Sequence, residues 1–343
     1  MKIYAVSLSM FVFLSACATN NNQQPPVSLV IPSDIAGVAH AGDPVSAAEN
    51  ALMDELGIVW VRNDFRWSRV EPQQGVWDFS RYDRMVEDNI ASGRKMLSTL
   101  GFDTRWLHKN GNREDYISPE ELPYFLDYVE KVVTRYKGKV DAWEIWNEPN
   151  VSVRFWKGPA KDFYALSKAT AKKIRECDPN AKIIAGSFFR VPTVFIKNMF
   201  ASGALDDIDG IAFHPYAITP KGALALYDTF AALMRKQGYT GEIWVTEVGY
   251  PTGGIYPSRV REKKFGAYIH DTLTGLAQRG ARTIFWYQLT ERYTRDNTPH
   301  TLNSERFFGL AYKDFEKKLG ADEFAKTVRS LRQNNNSKTK EVR

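Results

Sequence analysis

Trp143-Glu144-Ile145-Trp146-Asn147-Glu148-Pro149-Asn150 opens as an apolar strand and ends in an Asn-Glu-Pro turn. A carboxylate therefore sits where a β-strand breaks open, flanked by an amide and by indoles. Ninety-nine residues later a second strand, Ile243-Trp244-Val245-Thr246, runs into another carboxylate, Glu247. The two acids share a context, and the rest of the chain shows how they are brought together.

Outward from this stretch, strands and helices alternate. Strand patterns fall at residues 35–40, 58–65, 95–102, 140–146, 182–187, 208–214, 242–248 and 283–289. Helix patterns follow them at 47–56, 79–92, 119–136, 161–177, 192–202, 224–237, 259–278 and 321–331. Several strands are apolar on both faces, as strands buried inside a ring of helices must be. Eight such units over about 300 residues predict an α/β chain forming a single (β/α)8 TIM barrel. A doubly wound sheet alternates similarly, but its usual Gly-rich phosphate loop after the first strand is missing. Ser118-Pro119-Glu120-Glu121 carries a Ser cap, a Pro at the first helical position and acids on the positive helix end. The long segment 290–320 after the last strand reads as a functional loop.

A barrel of this kind builds its site at the C-terminal strand ends. The second strand brings Arg62, Asn63 and Asp64 there, the fourth Asn147 and Glu148, the sixth His214 and Tyr216, the seventh Glu247, and the eighth Trp286 and Tyr287. Two facing carboxyls are the requirement for retaining hydrolysis of a glycosidic bond. One stays ionised as nucleophile, helped by Arg62. Tyr216 or His214 is placed to hold that nucleophile by a hydrogen bond. Asn147 can donate to a sugar 2-hydroxyl. Glu144 alternates with Glu148 and reads as a buried structural acid paired with Arg62. Trp67, Trp106, Trp146, Trp156 and Trp286 fall at or after strand ends as candidate sugar-stacking surfaces, whereas Trp60, Trp77 and Trp244 read as packing residues. The five His show no metal spacing, so no metal and no cofactor are expected.

These residues resemble those of glycoside hydrolase clan A. The likeness lies in residues 143–150, in Val59-Trp60-Val61-Arg62 with Trp67 and residues 70–79 after it, in His214-Pro215-Tyr216, in residues 244–249 and in Phe308-Gly309-Leu310. The resemblance implies Glu148 as acid/base and Glu247 as nucleophile, with Arg62, Asn147, His214, Tyr216 and Trp286 in support. Within the clan the chain looks most similar to family 39, and there to hydrolases encoded with bacterial exopolysaccharide genes. Family 39 also holds β-xylosidases and α-L-iduronidases with extra β domains, for which no residues remain here. That favours an open cleft, endo-acting on a polysaccharide. The alternatives are a β-glucanase, mannanase or xylosidase acting on plant polymer, and a barrel that only binds polysaccharide.

Residues 1–16 read as a lipoprotein signal peptide, because an apolar run ends in the lipobox-like Leu14-Ser15-Ala16-Cys17. Cys17 is the expected lipidation site, and residues 17–33 a lipidated N-terminus and tether. The domain is placed at 34–332, and 333–343 reads as a disordered polar tail. These features predict a monomer in a bacterial envelope, lipid-anchored to the outer membrane and facing the periplasm. Cys177, the only other cysteine, then has no disulfide partner and reads as a packed side chain. The formal charge of +6 includes one from Lys2 and a net two from the tail, so the body carries three. So small an excess excludes nucleic acid as the main partner.

Overall fold

The computed structural model describes residues 30–255, 257, 259–299 and 301–341. The expected signal peptide, Cys17 and most of the tether lie outside these residues. The strands are β1 (Ala36–Ala39), β2 (Trp60–Arg66), β3 (Lys95–Gly101), β4 (Ala142–Ile145), β5 (Lys182–Phe189), β6 (Gly210–His214), β7 (Glu242–Val248) and β8 (Ile284–Tyr287). They close into one parallel barrel in sequence order, with β8 paired to β1. Around it run α1 (Ala47–Leu56), the one-turn α2 (Trp67–Val70), α3 (Ser80–Ala91), α4 (Leu122–Arg135), α5 (Ala160–Cys177), α6 (Thr193–Ala201), α7 (Pro220–Lys236), α8 (Glu262–Ala277) and α9 (Asp322–Glu341). This is the (β/α)8 barrel that the alternation implied.

Alternation along each strand decides what every side chain can do. Trp60, Leu97, Ala142, Ile184, Ala212, Trp244 and Phe285 pack together inside the barrel as an apolar floor. Their odd-even partners, such as Val61, Met96, Trp143, Ile183, Ile211, Val245 and Trp286, join the larger core beneath the helices. The floor admits Trp60 because Gly37 on β1 stands beside it and Phe285, as Gly210 on β6 stands beside Trp244. A methyl group on Gly37 would lie 2.7 Å from Phe285 Cδ1 and 2.8 Å from Trp60 Cβ. The site is built one layer above this plug.

Two slips in register adapt the upper rim. Between Ala185 and Phe188 the β5–β6 register shifts, and Gly186 (φ 102°) and Ser187 (φ 48°) take left-handed backbone. This brings the Ser187 hydroxyl into the barrel, 2.8 Å from Glu144 Oε1. The β7–β8 register shifts between Val245 and Val248, so the consecutive residues Thr246 and Glu247 both meet inward-facing partners.

The last helix differs from the sequence expectation. It continues to Glu341 rather than ending at Leu331, so residues 333–341 of the expected disordered tail are helical. No Gly or Pro occurs between Arg332 and Glu341, so neither of the two strongest helix breakers interrupts this stretch. Arg332 also ties α9 to the barrel by donating to the carbonyls of Ser33 and Gly57. Helix α4 starts three residues late, because Ser118 and Glu121 form a reciprocal capping box around a preceding turn. Cys177 is half-buried at the end of α5.

Candidate active site

After β4 the chain turns through Trp146 (φ 64°) and Glu148 (φ 45°), backbone that L-residues rarely adopt. The turn is held by Trp146 N donating to Leu100 O and Glu148 N donating to Ser187 O. Its consequence is a reversal of facing. Trp146 points outward among Phe102, Phe125 and Trp156, while Asn147 and Glu148 line a cavity of about 910 Å³ at the barrel mouth.

Arg62 organises the floor of that cavity. Its Nε donates to Glu144 Oε2 at 2.6 Å, Nη1 to Glu247 Oε1 at 2.6 Å, and Nη2 to Asn147 Oδ1 at 2.8 Å. Glu144 is wholly buried and also accepts from Thr99 Oγ1 and Ser187 Oγ. It is thus a satisfied structural acid that orients the guanidinium. Because Asn147 Oδ1 faces Arg62, its NH2 group is left to donate to a ligand.

Glu247 receives a second donor, the Tyr216 hydroxyl, on Oε2 at 2.7 Å. Burial alone would raise its pKa. Electrostatic attraction from His214, Arg62 and His40, with the Tyr216 hydrogen bond, overcomes that and lowers it to about 2. Glu247 is therefore an ionised carboxylate whose rotamer is fixed from both oxygens. Tyr216 is pushed well above its ordinary value, by burial first and then by Glu247, so it stays a protonated donor.

Glu148 has a different partner. His214 Nδ1 lies 2.7 Å from Glu148 Oε1, and its Nε2 lies 3.0 Å from Thr246 Oγ1. Of the two residues expected to hold Glu247, Tyr216 bonds it directly, while His214 contacts Glu148 and stands 3.8 Å from Glu247. One oxygen of Glu148 lies within 4.8 Å of one of Glu247. These two acids and His214 are also a group that could hold a metal ion among the described residues. However, Arg62 and Tyr216 already occupy both Glu247 oxygens, and the guanidinium supplies positive charge at that point.

The five indoles expected as sugar platforms do not line the cavity. Trp67 is buried against Tyr128 and donates to Glu71 Oε2. Trp106 packs edge-on to Trp67 and donates to Glu71 O. Trp146 and Trp156 pack on one another and donate to the carbonyls of Phe155 and Pro159. Trp286 is outside the barrel, among Tyr250, Phe265 and Phe324. Each is positioned by strand parity or by a local indole hydrogen bond, which closeness in sequence to a strand end does not reveal. The aromatic walls are instead Phe102, Phe155, Phe189, Tyr216, Tyr287 and Phe308. Of these only Tyr216 and Tyr287 were singled out as binding residues from sequence. Phe308 lay in a quoted motif, and Phe189 carried a usable signal, since of two consecutive Phe on a strand one must face in. Asp64, which the sequence already brought to this face with Arg62, lines the cavity, as do His40, Arg66 and Arg154, which nothing in the sequence marked as ligand-facing.

A closed eight-stranded barrel with acids after β4 and on β7 is the fold of the clan A glycoside hydrolases. The profile described as glycosyl hydrolase family 10 matches residues 33–182, a stretch that includes Arg62, Asn147 and Glu148 but stops before Glu247. Endo-1,4-beta-xylanase A of Phanerodontia chrysosporium is 27% identical over 232 residues, covering 60% of this chain and 53% of the xylanase. The chain thus spans about half the length of the curated relatives it matches. Among solved structures, a family 39 glycoside hydrolase from Bacteroides cellulosilyticus superposes with a TM-score of 0.71 at 21% identity, over 88% of this chain and 64% of that one. Xylanase 10B of Thermotoga petrophila, solved with xylobiose, gives 0.65 at 18% identity over 88% and 95%.

Proposed function

We propose that the chain hydrolyses β-glycosidic bonds in a polysaccharide by double displacement. The observation that carries this reading is the pair of acids with unlike environments. Glu247 is held ionised between Arg62 and Tyr216, and Glu148 is paired with His214, one oxygen of each acid lying within 4.8 Å of the other. Retaining glycosidases hold their carboxyls about 5–5.5 Å apart, whereas inverting enzymes need about 6.5–9.5 Å to admit a water. Glu247 attacks the anomeric carbon while Glu148 gives its proton to the departing glycosidic oxygen, so that bond breaks as the glycosyl-enzyme ester forms. Glu148 then takes a proton from water, whose oxygen attacks the same carbon and releases Glu247. The Asn147 amide donates to the sugar 2-hydroxyl.

The relatives named as xylanases make β-1,4-xylan the first substrate to try. A bacterial exopolysaccharide, cut internally, is the second, on the resemblance of the sequence alone. Full-length wild type, Glu148→Gln and Glu247→Gln are assayed on both polymers and on aryl β-glycosides. We expect oligosaccharide release by wild type and at least about a 100-fold loss in each variant. Polymer binding retained by all three proteins, with no release by any, would leave the polysaccharide-binding barrel as the reading.

We further propose that the enzyme works as a monomer anchored to the outer membrane through lipid on Cys17, facing the periplasm. The lipobox-like residues support this; among the described residues no helix is long and apolar enough to cross a membrane. Radiolabelled palmitate should enter wild type but not Cys17→Ser. Equal labelling of both, or of neither, would sink the anchor.

A further inference from the structure

We infer that Arg154 and Glu305 form a removable strap across the mouth of the cleft, and that its opening governs whether internal segments of a polymer reach the two acids. The inference rests on the proposed glycosidase function and identifies two residues that set its substrate range. In a closed ring of eight strands, β4 and β8 stand opposite one another. Arg154 lies on the loop leaving β4, and Glu305 on the long loop leaving β8. Their side chains nevertheless meet, Arg154 Nη1 donating to Glu305 Oε1 at 3.5 Å. Both residues line the same cavity as Glu148 and Glu247, so the contact crosses the opening over the acids.

The strap divides the mouth in two. One half is rimmed by Asp64, Arg66 and Phe102 from the β2 and β3 ends, the other by Phe189 and Tyr216 from the β5 and β6 ends. A sugar chain that occupies both halves has to pass beneath the contact. A chain end can be threaded there, but an internal segment enters only when the two side chains part.

The strap is built to part. Its side chains are 58% and 52% exposed, and a solvated ion pair at this distance is weak and screened by salt. Each side chain also has a resting place on its own side. The Arg154 guanidinium lies 4.7 Å from the Phe155 ring centroid, and Glu305 Oε2 accepts from the Tyr287 hydroxyl at 3.3 Å. Opening thus requires side-chain rotation only, while the backbone beneath stays held by Arg154 N to Val151 O and by the Asn303 cap on Glu305 N.

The test compares full-length wild type, Arg154→Ala, Glu305→Ala and the exchanged pair Arg154→Glu/Glu305→Arg. Each is assayed on soluble β-1,4-xylan and on an aryl β-xyloside. The readouts are the ratio of the two kcat/KM values and the viscosity lost per reducing end released. Each alanine variant should raise both readouts, the ratio by roughly threefold, the scale of a weak exposed pair. The exchanged pair should return both towards wild type. Identical readouts in all four proteins would overturn the strap while leaving the glycosidase reading intact. A lower ratio in the alanine variants would overturn it too, since the pair would then bind polymer instead of barring it. No hydrolysis of either substrate by wild type would overturn the glycosidase reading and the strap together.

Discussion

Arg62 is the residue on which the site turns. Fully buried, it is compensated by Glu144 and Glu247 and hydrogen-bonded to Asn147, so one side chain fixes a structural acid, the proposed nucleophile and the amide proposed to meet the sugar. Burial opposes its charge, but the two carboxylates more than offset that and raise its pKa. Glu148 and Glu247 were legible in the sequence because each lies where a strand ends, Arg62 because it stands in the second-strand block that resembles clan A, and Glu144 because it alternates with Glu148. The division of labour between Tyr216 and His214 was not legible, since both leave β6 together and only side-chain direction separates them. The depressed pKa of Glu247 has a consequence for stability. From its ordinary value of 4.5 down to about 2, the folded protein binds fewer protons at this group than the unfolded chain does. Its contribution is therefore present above about pH 4.5 and is lost as the pH falls through that window. We expect the difference in urea-unfolding free energy between wild type and Glu247→Gln to shrink from about pH 5 to about pH 2.5. A difference constant over that range would show that Glu247 titrates alike in both states.

At the scale of elements, strand parity explains both what the sequence revealed and where it misled. β8 reads Ile284-Phe285-Trp286-Tyr287, with Phe285 on the barrel floor and Tyr287 on the cavity wall, so Trp286 has to face the helices. Trp146 escapes the same parity rule only because left-handed backbone reverses the chain after β4. The slips in β5 and β7 are equally hidden, since they depend on how neighbouring strands pair and not on either strand alone. The floor offers a direct test of this packing. Gly37→Ala would press a methyl group into Phe285 and Trp60, at a cost of about 1–3 kcal/mol. Gly37 is not among the residues that line the cavity, so melting temperature should fall by several degrees while kcat/KM at 25 °C holds. An unchanged melting temperature would mean that the floor has slack that its geometry does not show.

Across the whole molecule, the barrel was legible because eight periodic units leave few other folds open, whereas the architecture of its long last loop was not. Length alone marked residues 290–320 as functional, and the loop does supply Arg292, Glu305 and Phe308 to the cavity. What shapes it is Lys318, a buried ammonium held by Glu291, Thr252 Oγ1 and the Phe307 carbonyl. Burial lowers the pKa of Lys318 and raises that of Glu291, and their mutual attraction opposes both shifts. A lone Lys near the end of a loop carries no sign in sequence of such a role. The loop in turn places Glu305 opposite Arg154, so the reach of the substrate and the scaffold of the site share one element.

The proposed hydrolysis stands on the attack of Glu247 on the anomeric carbon. Covalent trapping with a 2-deoxy-2-fluoro β-glycoside bearing a good leaving group, followed by mass spectrometry of the digested protein, examines that step. One added glycosyl group is expected on the peptide containing Glu247, with none on Glu247→Gln. Hydrolysis of natural substrate without any trapped adduct, or an adduct on another residue, would contradict it.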